Sequence, residues 1–102
     1  MITDYVVSRV AVASELFESE PTLVYWLTLT PAVVDTIGLC SIRDGTDVTG
    51  KVKWQAETGE NMHYVFSPAI RCYNGLFIEV DAHIDIYTVG YLPEEVAKRL
   101  SK

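Results

Sequence analysis

Apolar and polar positions alternate with a period of two along most of this chain, and turn residues cut the alternation at short intervals. Successive side chains on a strand point to opposite faces, so this period predicts β-structure. Tyr5 to Ala13 reads as a first strand, with Val6, Ser8, Val10 and Val12 on one face and Tyr5, Val7, Arg9 and Ala11 on the other. Ser14 to Pro21 (SELFESEP) is acidic and irregular; it reads as one helical turn or a loop, anchored by Leu16 and Phe17. Thr22 to Thr30 has Leu23, Tyr25, Leu27 and Leu29 on one face and Val24, Trp26 and Thr28 on the other. A strand apolar on both faces is central or is covered by a neighbouring chain. Pro31 breaks the run.

Thr36 to Arg43 predicts the next strand, running into the Asp44-Gly45 turn. Lys51 to Glu57 puts Val52, Trp54 and Ala56 inward and Lys51, Lys53, Gln55 and Glu57 outward, and Met62 to Phe66 repeats the pattern with Met62, Tyr64 and Phe66. Ile70 to Tyr73 and Leu76 to Asp81 flank Asn74-Gly75, the best hairpin-type signal in the chain, because Asn and Gly adopt φ > 0 at little cost. Ile84 to Tyr91 is the last strand. After it, Pro93 opens a short helix with Glu94 and Glu95 at its start and Lys98 and Arg99 near its end, an order that suits the helix dipole and i,i+4 pairing. With no βαβ alternation, repeat or low-complexity linker, the pattern predicts an all-β fold. We expect an antiparallel β-sandwich or jelly-roll-like domain of seven or eight strands, with a short C-terminal helix over about 93–101.

The length of 102 residues suits one domain spanning the chain, with a thin core and stability that is modest or shared with neighbours. Hydrophobic residues make up 49%, which excludes a disordered chain. The net charge of −6 argues against nucleic acid, whose binding is driven by Lys and Arg on phosphates. No apolar run reaches the roughly 18 residues of a membrane helix, and MITDYVVSRV lacks a basic-then-apolar signal layout. The expectation is synthesis in the cytoplasm without export, and no membrane partner. Cys40 and Cys72 have no CxxC or Cys-His spacing; reduced, buried thiols are expected, and sequence leaves open whether they pair.

Candidate chemistry is sparse. The only imidazoles are His63 and His83, and nucleophilic catalysis needs a nucleophile beside an oriented base. Asp81, His83 and Asp85 could share a face, and Asp44 with Asp47 faintly resembles the start of a calcium loop. Zinc-type sites need three or four converging ligands and calcium loops a longer series, so a solvated turn is expected for the first. A turn in which Asp44 bonds its own backbone is expected for the second. Nothing singles out Glu57, Glu60 or Glu79 as paired carboxylates, and no glycine-rich phosphate loop is present. No enzymatic activity, metal or cofactor is expected.

Aromatic residues are more numerous than a thin core needs: Tyr25, Trp26, Trp54, Tyr64, Phe66, Tyr73, Phe77, Tyr87 and Tyr91. Most should be core. Trp26, Phe77, Tyr87 and Tyr91 are assigned to faces that a lone sandwich leaves exposed, where aromatic patches mark protein contacts or a sugar platform.

The succession Ile42-Arg43-Asp44-Gly45, Gly50, Phe66-Ser67-Pro68-Ala69-Ile70, Asn74-Gly75-Leu76-Phe77-Ile78-Glu79-Val80 and Tyr87-Thr88-Val89-Gly90-Tyr91 resembles small β-sandwich proteins encoded among the virion structural genes of tailed bacteriophages. The match runs from about Gly38 to Tyr91. Phe77 stands where that pattern usually has tyrosine, and the helix after Pro93 is an addition. The resemblance implies a non-enzymatic virion structural protein, either a capsid decoration (cement) subunit or a tail or head–tail accessory protein. A host-surface glycan-binding module is the alternative. It implies the major capsid protein or other virion proteins as partners, a homo-oligomer with a trimer favoured, and a place on the capsid surface after synthesis in the host cytoplasm. The residues expected at protein contacts are Met1, Ile2, Tyr5, Trp26, Phe77, Tyr87 and Tyr91.

Overall fold

A computed structural model describes residues 6–32 and 36–100. Among them the alternating runs form eight strands: β1 (Val7–Ala11), β2 (Glu15–Glu18), β3 (Thr22–Pro31), β4 (Gly38–Asp44), β5 (Lys51–Thr58), β6 (Met62–Cys72), β7 (Leu76–Val80) and β8 (Ile84–Pro93). Helix α1 (Glu94–Leu100) follows. The strands lie in two sheets of four, in the orders β1-β8-β3-β6 and β2-β7-β4-β5.

Every pairing is antiparallel, and four of them nest: β1 with β8, β2 with β7, β3 with β6, and β4 with β5. The chain is thus a long hairpin with its tip between β4 and β5, rolled so that β3 also meets β8 and β4 also meets β7. That is the jelly-roll arrangement of a two-sheet sandwich.

Between the sheets, Val24, Leu27, Leu29, Tyr87 and Val89 from the first meet Cys40, Ile42, Leu76 and Ile78 from the second, all essentially inaccessible. At one edge of the sandwich, Phe17 packs edge-on between Tyr87 and Tyr91, each at 5.9 Å between ring centroids. Arg9 lies 4.9 Å above the Phe17 ring and pairs with Glu15 at 2.6 Å. At the opposite edge, Trp54 of β5 meets Tyr64 and Phe66 of β6 edge-on at 4.8 and 5.2 Å, joining the two sheets there.

Four expectations change. Segment 14–21 is neither a helical turn nor a simple loop: residues 15–18 form β2, paired with β7 and interrupted by a bulge between Leu16 and Glu18. Burial of Phe17 draws the segment in, and the bulge erases the period that would have revealed it. On β3 a bulge at Tyr25 lies between Val24 and Trp26. It reverses the faces, so Val24 joins Leu27 and Leu29 inside, while Leu23 and Tyr25 do not. The runs on either side of Ser67-Pro68 belong to one strand, whose pairing jumps from Ile70 to Val65 around a cis Ser67-Pro68 peptide. Finally, Asn74-Gly75 is a turn but not a hairpin, because β6 and β7 lie in different sheets. Gly75 has φ 124°, and its carbonyl accepts the Gly45 N–H at 3.2 Å.

Candidate interaction surface

The two outer faces of the sandwich differ in chemistry. On the β2-β7-β4-β5 sheet the outward positions carry charge and hydrogen bonds. Arg43 pairs with Glu79 at 2.9 Å and donates to the Gly50 carbonyl at 2.8 Å, and the Ser41 hydroxyl donates to Gln55 Oε1 at 3.3 Å. Leu16, Phe77 and Arg43 line up across this sheet, with Phe77 half-buried between the other two.

The outer face of the β1-β8-β3-β6 sheet is built differently. Register places Val65, Trp26, Gly90 and Ser8 in one row and His63, Thr28, Thr88 and Val10 in the next, with Thr30 beside Ile86 beyond them. None of these ten positions is Asp, Glu, Lys or Arg. Val10 is 59% exposed and Val65 69%, at the two edges of the face. Between them the sheet is half-buried Thr, Ile and Trp. The Thr28 hydroxyl and His63 Nδ1 lie 2.6 Å apart, and the Trp26 and His63 rings are 6.0 Å apart.

Trp26 covers its cross-strand partner Gly90 so closely that a Cβ there would lie 2.2 Å from the indole. An aromatic ring laid over a strand glycine fills the missing side chain. Gly90→Ala should therefore push Trp26 off the sheet and cost about 1–2 kcal/mol. In a Trp54→Phe background the Trp26 emission should shift to the red; an unchanged spectrum would show that the indole does not depend on the glycine.

The far end of this same face is already covered. Leu92 is 1% exposed and Ala97 6%, where α1 folds back over the sheet. Arg71 and Glu94 fix the helix at 2.6 Å, and the Glu94 N–H donates to the Pro21 carbonyl at 2.8 Å. Charges gather here: Lys53 and Arg71 lie 5.4 and 5.5 Å from the centroid of Tyr73, and Lys98 is 3.7 Å from Glu94. The bare, uncharged half of the face thus lies beyond a helix-covered, charged end.

Of the residues expected at contacts, Trp26 lies on the uncharged face and Phe77 on the charged one. Tyr87 and Tyr91 are corrected: they are 1% and 5% exposed and belong to the core. β8 is central and apolar on both sides, and these tyrosines occupy its inward positions. The phenol of Tyr87 reaches the sandwich edge and donates to the Ala13 carbonyl at 2.7 Å, so burial leaves no polar group unpaired. Met1, Ile2 and Tyr5 lie outside the described residues. Val10, Val65 and the threonine rows were not singled out by sequence reasoning; the signal present was the two-sided apolar character of the strand from Thr22.

The acidic motifs resolve as turns. The His83 N–H donates to Asp81 Oδ1 at 3.0 Å, and among the described residues no three His, Cys, Asp or Glu side chains converge on a possible metal position. Asp44 does not bond its own turn but accepts the Asn74 N–H at 2.6 Å, tying two loops together. The self-bonded turn belongs to Asp47, which accepts the Thr49 N–H and hydroxyl at 2.9 and 2.5 Å; these bonds hold its carboxyl below the ordinary carboxylate range. Cys40 and Cys72 are free and buried.

What the fold and surface define is an acidic jelly-roll domain with one charged sheet face and one uncharged face. Comparison with family models, curated proteins and solved structures finds no match.

Proposed function

We propose that this chain is a non-enzymatic structural protein of a tailed-bacteriophage virion, a decoration or cement subunit that stabilises the head through protein–protein contacts. The observation that carries the reading is the uncharged outer face of β1, β8, β3 and β6. A solvated sheet face in a chain of net charge −6 ordinarily carries charged side chains. Ten neighbouring outward positions without a carboxylate, lysine or arginine instead suit a surface buried against protein. The jelly-roll is a fold of viral capsid domains, though also of lectins, and agrees with the turn-and-strand resemblance. The mechanism is mechanical. Many weak contacts, each modest in area, act together on a lattice, so expansion or rupture must break them as a set. Charge on the remaining surface suits an outer position better than one facing packaged DNA.

The test is the composition of particles purified from the strain that carries the gene. The chain is expected in them by quantitative mass spectrometry, at a fixed ratio to the major head protein, with copies in the capsid-surface fraction. Its absence from particles overturns the reading. A fixed ratio to tail proteins instead moves it to the accessory role, and retention on a glycan array without particle association supports the carbohydrate alternative.

A further inference from the structure

We infer that the bare outer face of β1, β8, β3 and β6 is covered by a second copy of this chain, packed face to face about a two-fold axis. The inference deepens the assembly reading, on which it rests for the claim that this face is a contact at all.

Charge selects the occupant. In a two-fold contact the same patch lies on both sides, so charges near the axis meet their like. The face of the other sheet, with Arg43, Glu57 and Glu79, would set such charges against one another. The uncharged face has none to oppose, with His63 its only ionisable side chain. A dissimilar partner chosen by complementary charge would need a charged anchor, and this face offers none. The surface is self-complementary by its neutrality, in a molecule whose net charge of −6 otherwise keeps copies apart.

Geometry fits the same occupant. Two sheet faces stack about 10 Å apart with strands nearly aligned. An axis running along the strands between β8 and β3 sets β1 of each copy over β6 of the other, and so covers the exposed Val10 and Val65 of both. Four strands about 4.8 Å apart and seven residues long give a face of roughly 400–500 Å² per copy. The pair would bury about 900 Å², near the floor for a specific interface. Association should accordingly be weak, visible at high concentration and strengthened on a lattice.

The test is sedimentation equilibrium of the full chain from about 10 μM to about 1 mM, with circular dichroism confirming that each variant is folded. The wild-type mass should rise from monomer towards dimer, and more steeply in high salt, which screens the net charge. Val10→Glu and Val65→Glu put like charges into the contact at exposed positions and should reduce association at least tenfold while remaining folded. Gln55→Glu on the opposite face should pair like wild type. A monomer throughout the range, equal association by the Val10 and Val65 variants, or closure as a trimer would overturn the face-to-face pair. The particle measurement fails independently: a monomer found in virions overturns the pair alone, and a dimer absent from virions overturns the virion role alone.

Discussion

Replacing Tyr87 by alanine is expected to cost the fold about 3–5 kcal/mol, the range for truncating a buried aromatic residue. A domain of this size has roughly 5–15 kcal/mol in total, so the variant should be partly unfolded at room temperature or melt far below wild type. The magnitude follows from position. Tyr87 is the largest of the fully buried side chains, packs edge-on against Phe17, and lies on β8 between β1 and β3. Tyr87→Phe keeps the ring and loses only the bond to the Ala13 carbonyl, and should cost about 1 kcal/mol. Urea unfolding separates the two. If alanine left the midpoint unchanged and only weakened self-association, Tyr87 would be a contact residue, as the strand pattern had suggested, and its burial in the core would be refuted.

The error at Tyr87 shows what the sequence could convey. Strand positions were legible because the period of two is local, and most of the runs are strands in the structure. Turn positions were legible for the same reason: Asp44-Gly45 and Asn74-Gly75 both sit at corners. Partners were not. Asn74-Gly75 encodes a backbone reversal with φ > 0 but does not say whether the chain returns in its own sheet or crosses to the other. Three of the four nested pairs join strands distant in sequence, such as β1 with β8, and no local cue specifies them. Faces were legible only until a bulge. One extra residue at Tyr25 exchanges inside for outside along the rest of β3, because a shift of one moves every later side chain to the other face. The uncharged surface was invisible for a combined reason. Its rows draw single residues from four strands, for example Val10, Thr28, His63 and Thr88, and only the register brings them together.

Raising the pH should unfold this protein earlier than its acidic composition alone would suggest. Burial pushes the Cys40 thiol from the ordinary value of 9.0 to about 12, helped by the charge of Asp81. Burial also pushes Cys72 to about 12, with Asp44 adding to the effect and Lys53 opposing it. Tyr87 is likewise held above its ordinary 10.0, chiefly by burial. In each case the folded chain keeps a proton that the unfolded chain gives up. Below pH 9 both states hold the thiol protons, and the contribution to stability is complete. Between pH 9 and about 12 the unfolded state binds fewer, so stability falls as pH rises, by up to about 1.4 kcal/mol per pH unit for each group. Urea midpoints measured from about pH 8 to about pH 11 should therefore drop steeply above pH 9. The double variant Cys40→Ala, Cys72→Ala removes two of the three groups; whatever its starting stability, its decline should be markedly shallower. A flat profile in the wild type would mean that these side chains are hydrated in the folded protein. Equal slopes in the two proteins would assign the alkaline loss to other groups and would remove the evidence that Cys40 and Cys72 are closed off between the sheets.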